Sequence, residues 1–359
     1  MFLPVGEDQH ASMFLADNPY HLMLPTTQPT SVQRPLMLAP QETPRVSVLP
    51  IITATEKPAN LPFIEANTKE VEMSHLKDDC IIPVFSKDNE VTISHQSFIE
   101  TILDAAQSAF PRESISSPSI RVSHVVKGRI PEAIHKPVGQ LLESDKTIYY
   151  ERMMFCFEIP TISQDIDGCR LNLTIGGVRA YNEQNLYARK SPEKFKIFIG
   201  FKNMVCCNLC VATDGYKASL RVMDTSAMLS SAIELFQSYD MERHLALMTA
   251  YQTVGMSESQ FAQFLGRCRL YQYLPSAEKK LLPELLLTDT QIGMVARSYY
   301  EDEQFGKNLS LWNIYNLFTG SNKASYIDNF LDRAENATTL TTGLARSLHG
   351  DPEYAWFLS

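Results

Sequence analysis

The feature that most constrains the fold of this chain is a change in hydrophobic period at Ser226. Before this residue, short runs of β-branched, aromatic and aliphatic residues alternate with turn residues, which is typical of strands. After it, apolar residues recur every three or four positions, which is typical of amphipathic helices. Strands followed by helices favour an α+β fold, with a mostly antiparallel sheet that carries a helix and a helical C-terminal half.

The first 62 residues differ in composition from the rest of the chain. They hold ten of the 20 prolines, and each proline fixes φ and removes a backbone donor. We therefore predict a disordered, proline-rich tail over residues 1–62. The remainder is expected to form an α+β sheet domain over 63–224 and a helical subdomain over 225–359 that packs on the sheet.

Two local signals refine the sheet region. Ser94 precedes a stretch in which Phe98 and Ile102 share one helical face, and Pro111 follows it, so a helix is predicted here. Gly176 and Gly177 lie inside an apolar strand run. Because they lack side chains, they predict a bulge, a bend or a close approach of the backbone, and a strand irregularity is favoured.

Capping patterns mark several helices of the C-terminal half. Ser257 is followed by Gln260 at the spacing of a capping box, and Thr288 is followed by Gln291 at the same spacing. Ser310 is predicted to start a further helix that Gly320 ends. A final helix is predicted over about 337–349.

Charge is distributed unevenly along the chain. The formal net charge is −9, yet residues 179–221, here called the basic segment, hold 8 basic and 3 acidic residues and so carry +5. Tyrosines and phenylalanines are interleaved with these cations, a combination that suits phosphate neutralisation and base stacking. The alternative interpretation is a solvated strand face whose aromatic rings point to the core.

A second polar stretch, residues 310–333, contains asparagines, which are poor helix formers unless their amides are used. These amides either cap the helix and link it to the sheet, or line a ligand or nucleic-acid groove. Candidate nucleic-acid-binding residues therefore come from both stretches. From the basic segment they are Arg179, Tyr181, Tyr187, Arg189, Lys190, Lys194, Lys196 and Lys202, and from the second stretch Asn316 and Lys323.

The cysteines and the absence of long apolar runs bear on location and cofactors. Seven cysteines, an odd number, fit reduced thiols, and no apolar run approaches the roughly 20 residues that cross a bilayer. With an acidic N-terminus unlike a secretory signal, these features predict a cytoplasmic protein with no membrane partner. Cys206, Cys207 and Cys210 lack a second pair of ligands, so buried thiols are favoured over zinc, and no metal, cofactor or catalytic residue is predicted.

Two segments resemble known proteins. The chain resembles the phage- and plasmid-like proteins of unknown function in two segments, FKNMVCCNLCV (201–211) and SLWNIYNLFTGSNK (310–323). From about Phe63 to the end, the chain more closely resembles a related uncharacterised family carried by conjugative and other mobile elements of gut bacteria. The resemblance implies a cytoplasmic accessory protein of a mobile element, in a setting where DNA processing and counter-defence are common. It implies no catalytic residues.

Three functions of different classes remain open. The first is non-enzymatic binding or annealing of single-stranded nucleic acid by the basic segment, with single-stranded DNA as the partner. The second is a protein-interaction module for counter-defence or a replication or transfer complex, with host or mobile-element proteins as partners. The third is an enzyme with a dispersed site near Asn208, Asp214, Asn316 and Lys323. Steep weakening by salt would distinguish the first from the others, and the sequence leaves the oligomeric state open.

Overall fold

A computed structural model of the chain describes residues 61–80, 92–133, 135–183, 192–301 and 308–359. The predicted tail therefore lies almost entirely outside the described residues. Within them, the sheet precedes most of the helices, which confirms the α+β class. The first half contains β1 (Lys69–Val71), α1 (Met73–Asp78), α2 (His95–Ala109), β2 (Ser119–Arg129), β3 (Lys146–Ile166), β4 (Cys169–Ala180), β5 (Glu193–Asn203), β6 (Leu209–Cys210) and β7 (Tyr216–Val222).

Strands β1 to β7 form one antiparallel sheet. Its order is β1-β2-β3-β4-β5-β6, and β7 also pairs with β5. Strand β6 pairs with the C-terminal end of β5, whereas β7 pairs with its N-terminal part. A tight turn joins β3 to β4, and there Asp167 and Gly168 adopt φ angles of +50° and +73°. From β2 to β6 each strand pairs with its predecessor, and the short turn between β3 and β4 makes these two strands a hairpin.

The C-terminal half is helical apart from one short two-stranded sheet, in which β8 pairs with β9. In the parts of the chain that are described, no helix has both the length and the apolar character needed to cross a membrane. The elements of this half are α3 (Thr225–Ser238), α4 (Met241–Ala250), β8 (Gly255–Ser257), α5 (Glu258–Tyr273), α6 (Ser276–Lys279), α7 (Asp289–Glu301), β9 (Asn308–Ser310), α8 (Leu311–Asn322) and α9 (Ile327–Leu348).

The central strands are buried on both faces. Phe155 of β3 lies in the larger core cluster together with Phe98 of α2, and their rings meet edge to face at 5.1 Å. Its neighbour Met154 points the other way, into a second cluster with Phe330 of α9. Helices therefore cover both sides of the sheet. This explains why β4 and β5 are buried along almost their whole length, including polar residues such as Thr174 and Lys196.

Most of the predicted helix starts are confirmed, but two predicted boundaries are wrong. The side chains of Ser94, Ser257 and Ser310 each accept a hydrogen bond from the first turn of their helices. Helix α8 does not end at Gly320, because it continues to Asn322, and α9 begins at residue 327 instead of near 337. The added turns of α9 bury apolar side chains on the sheet, a tertiary gain that local signals do not reveal.

The glycine pair in β4 does not form a bulge, so the favoured strand irregularity is wrong. Both glycines pair regularly with β3 and β5, and the register shift between β3 and β4 lies elsewhere, between Ile159 and Ser163. The glycines instead permit a close approach. A Cβ atom on Gly177 would lie 2.5 Å from the ring of Phe98 and 2.8 Å from the carbonyl oxygen of Lys196.

Replacing Gly177 with alanine should destabilise the protein, because the added methyl group would overlap the ring of Phe98. Overpacking of this kind costs about 1–3 kcal/mol of unfolding free energy. The matched control is Gly266→Ala in α5, where nothing lies within 4 Å of the added carbon and the change favours the helix by about 1 kcal/mol or less. Chemical denaturation measures both variants, and equal stabilities would contradict the close approach.

Candidate functional site

Arg179, the first candidate of the basic segment, is fully buried in β4. Its guanidinium pairs with the carboxylate of Glu193 and lies between two rings, 4.5 Å from the centroid of Tyr181 and 4.2 Å from that of Phe195. Tyr181 is also buried, and its hydroxyl has no hydrogen-bond partner within the described ranges. Both candidates thus belong to the interior of the protein.

Three lysines of β5 are also candidates, and all three contact carboxylates. Lys196 and Lys202 are buried, and their ammonium nitrogens lie 2.7 Å from carboxylate oxygens of Asp332 and Glu158 respectively. Lys194 is partly exposed and also pairs with a carboxylate. Breaking a buried pair to contact a phosphate would leave a carboxylate unpaired. Nucleic-acid binding by the basic segment stays a prediction. Its candidates Tyr187, Arg189 and Lys190 lie outside the described residues.

The two candidates from the second stretch line a cavity. It has a volume of about 710 Å³ and lies between the turn that joins β5 to β6 and helix α8. Asn316 and Lys323 contribute to its wall together with Asn203 and Asn208 from the turn. We call this cavity the amide pocket. The fourth residue of the predicted dispersed site, Asp214, lines a different cavity.

The β5–β6 turn is held by the side chain of Asn203. Its Oδ1 accepts hydrogen bonds from the backbone N–H groups of Val205 at 2.9 Å and Cys206 at 3.4 Å. Its backbone N–H donates to the carbonyl of Asn208 at 2.9 Å. Cys207 completes the turn with a φ of +57°. Asparagine suits such a turn because its short amide can bond to the backbone two residues on. Sequence reasoning missed Asn203, although its place before a cysteine-rich turn is a signal for this geometry.

Helix α8 supplies the other two asparagines that line the pocket, Asn313 and Asn316. Asn313 belongs to its capping box, which accounts for one of the unusual asparagines. The Nδ2 of Asn316 donates to the carbonyl of Trp312 at 3.0 Å, and its Oδ1 accepts from Asn203 at 3.4 Å. Its carbonyl oxygen accepts from Asn208 Nδ2 at 3.1 Å. The asparagines therefore cap the helix and link it to the sheet, and at the same time line the cavity.

Charge in the amide pocket is divided between its wall and its rim. The Nζ of Lys323, which is almost fully buried, donates to the carbonyl of Cys206. Three exposed carboxylates, from Glu65, Asp167 and Glu301, lie at the edge. The pocket thus combines one internally bonded cation with three carboxylates, and its electrostatic potential favours neutral or cationic ligands over anions.

The cysteine cluster contributes one thiol to the amide pocket. Cys206 lines it, whereas Cys207 and Cys210 are buried. Burial raises the pKa of Cys206 to about 11, so the thiol is protonated at neutral pH and is a weak nucleophile. Across the described ranges, no three His, Cys, Asp or Glu side chains are grouped so that they could hold a metal ion.

A family model covers most of the chain. It is described as "Domain of unknown function, B. Theta Gene description (DUF3871)" and matches residues 47–358. The chain therefore belongs to the DUF3871 family. No curated protein and no solved structure matches it. The predicted resemblance to an uncharacterised family is confirmed at this level, and the link to mobile elements stays a prediction.

Two histidines of the interior are neutral. His95 of α2 lies against Tyr181, with ring centroids 4.8 Å apart, and its Nε2 bonds to the carbonyl of Tyr150 at 2.8 Å. Burial lowers its pKa to about 3. His244 of α4 is 2% exposed, and burial lowers its pKa to about 4. Protonating either imidazole would place a charge in the core.

Lowering the pH from 7 to 5 should therefore reduce the free energy of unfolding. In the unfolded chain a histidine has a pKa of about 6.5 and takes up a proton in this range, whereas His95 and His244 do not when folded. Each histidine lowers stability by up to about 1.4 kcal/mol per pH unit. Denaturation of His95→Gln and His244→Gln should give flatter pH profiles, with the exposed His349→Gln as control. Unchanged profiles in both would contradict neutral burial.

Proposed function

We propose that the chain binds a small molecule that carries amine or amide N–H groups, and that the amide pocket is its site. The observation that carries this proposal is the convergence of four asparagine residues on one cavity. Their amides come from the β5–β6 turn and from α8, and hydrogen bonds between these elements hold them in place. A cavity of several hundred Å³ with a few fixed polar groups is the usual form of a small-molecule site.

Hydrogen-bond accounting favours a ligand that donates. The Oδ1 of Asn208 is buried and has no partner in the described structure. A buried acceptor without a partner costs about 1–3 kcal/mol. A ligand N–H group that reached this oxygen would remove that cost. Lys323 is a weaker counterpart for an acceptor ligand, because one of its N–H groups already bonds to Cys206.

The charged groups of the amide pocket also favour an amine ligand over an anionic one. A cationic amine would be attracted by the rim carboxylates of Glu65, Asp167 and Glu301, whereas a phosphate or carboxylate ligand would be repelled by them. The protonated thiol of Cys206 supports binding over thiolate catalysis in this pocket. These properties favour a ligand-binding role over the two other predicted functions, a protein-interaction module and an enzyme with a dispersed site.

We also propose single-stranded nucleic acid as a partner, on a smaller surface than the basic segment as a whole. Lys194 of β5 lies directly opposite Arg221 of β7, and Arg221 is exposed. Lys194 also pairs with the carboxylate of Glu183 at 2.6 Å, so the exposed Arg221 is the cation that an incoming phosphate would contact first. This supports a contact at this edge. We also keep as proposals the two other expectations from the sequence, a role in a mobile element and host or mobile-element proteins as partners.

The amide pocket can be tested by thermal unfolding with spermidine, nicotinamide and orthophosphate as probes. Spermidine or nicotinamide should raise Tm by a few degrees at concentrations well above its Kd, and orthophosphate should not. Asn208→Leu should abolish the shift, because it removes the acceptor. Asp167→Asn should weaken the effect of spermidine, while the exposed Asp165→Asn, two residues away, should leave it unchanged. No shift with either N–H probe would refute the proposal.

The nucleic-acid proposal can be tested by fluorescence anisotropy with a labelled single-stranded oligonucleotide. Reversing Lys194 and Arg221 together to glutamate should weaken binding about tenfold or more, and binding by the unaltered protein should weaken steeply with salt. The control reverses Lys77 and Arg112, two exposed cations elsewhere, so that the change in net charge is the same. Equal weakening by both double variants, or no binding at low salt, would count against this surface.

A further inference from the structure

A second cavity, of about 670 Å³, lies between helices α4 and α9 and the segment before β7. We call it the His244 cavity. Its wall includes Asp214, Arg243 and His244 from one side and Thr342 and Arg346 from the other. It shares none of its lining residues with the amide pocket. Its polar wall differs from that of the amide pocket, because it contains two guanidinium groups and an imidazole beside the single carboxylate of Asp214.

The threonines of α9 cannot supply donors to a ligand in this cavity. The hydroxyl of Thr338 donates to the carbonyl of Val211 at 2.7 Å, and that of Thr342 donates to the carbonyl of Thr338 at 2.8 Å. The hydroxyl of Thr339 donates to Glu335 at 2.8 Å. Each hydroxyl has one hydrogen, and in all three that hydrogen is engaged within the protein.

The imidazole of His244 has one donor left over. Its Nδ1 lies 2.7 Å from the hydroxyl of Tyr239. We assign the hydroxyl as the donor in this contact, and this assignment places the ring proton on Nε2. The Nε2 atom is buried and has no partner in the described part of the chain. An N–H group in this position needs an acceptor.

The charged side chains that line the cavity make few hydrogen bonds within the described part of the protein. Arg346 pairs with Glu353 at 2.7 Å, and the carboxylate of Asp214 accepts from the backbone N–H of Asp240 at 3.2 Å. Arg243 is exposed, and within the described ranges its guanidinium contacts no carboxylate. Arg243, the remaining N–H groups of Arg346 and the Nε2–H group of His244 are therefore the donors that remain for a ligand.

We propose that the His244 cavity binds the oxyanion group of a small molecule, either a phosphate or a carboxylate. Arg243 supplies the positive charge and two parallel N–H groups, a geometry that matches both kinds of oxyanion. His244 supplies a directional hydrogen bond from the cavity wall. This site is separate from the amide pocket, so its test does not depend on the function proposed above.

Isothermal titration of the full-length protein at constant ionic strength, with orthophosphate in one arm and succinate in the other, tests the site and distinguishes the two chemistries. Binding of either anion is expected, and Arg243→Gln should weaken it about tenfold or more, as expected for loss of a charged hydrogen bond. Arg112→Gln removes the same charge from an exposed position elsewhere and should leave affinity unchanged. No binding of either anion at millimolar concentrations, or equal weakening by both variants, would overturn the proposal.

Nuclear magnetic resonance of imidazole nitrogens gives a readout that general charge attraction would not move. The His244 signal, assigned by its loss in His244→Gln, should show the Nε2–H tautomer in the free protein. Addition of the bound anion should shift its Nε2 resonance, and the shift should be absent in Arg243→Gln. A His244 signal that stays constant while the anion binds would place the anion elsewhere and refute the site.

Discussion

Burial of the central strands on both faces is the constraint on which the rest of the structure depends. Helix α2 covers one side of the sheet and α9 covers the other, so that neighbouring residues such as Met154 and Phe155 point into separate apolar clusters. A strand in this position has no solvent face on which to place a charge. The cations that are buried in these strands therefore pair with carboxylates, Lys196 with Asp332 and Lys202 with Glu158.

The amide pocket and the His244 cavity both lie next to segments that connect the strands of the sheet. Beyond the last residues of β5, the chain turns through Asn203 and Asn208 and meets α8, and the amide pocket opens between them. The His244 cavity opens beside the segment that leads into β7. One cavity presents acceptors behind a rim of carboxylates, and the other presents donors beside arginines. The two proposed ligands, one that donates hydrogen bonds and one that carries an oxyanion, follow from this difference between the two linings.

Local signals predicted the helices well where their cause is local. Ser257 and Ser310 begin helices because a side-chain oxygen accepts from an N–H group within the first turn. The same reasoning failed at Gly320, because α8 continues past it while packing against the β5–β6 turn. It also failed at Gly177, whose missing side chain admits the ring of Phe98 from another element. A residue's neighbours along the chain could not reveal either contact.

The sequence by itself determined the order of strands and helices, the helix caps and the α+β class, because hydrophobic period and capping act over one or two turns. Only the tertiary structure decided which polar groups meet. Lys196 and Asp332 are 136 residues apart, and Asn208 and Asn316 are 108 residues apart. Charge counts along the basic segment could not show that Arg179 is buried, because burial depends on helices that come from distant parts of the chain. Asn316 and Lys323 could be suspected from their residue types, but the cavity that they line exists only because α8 meets a turn of the sheet.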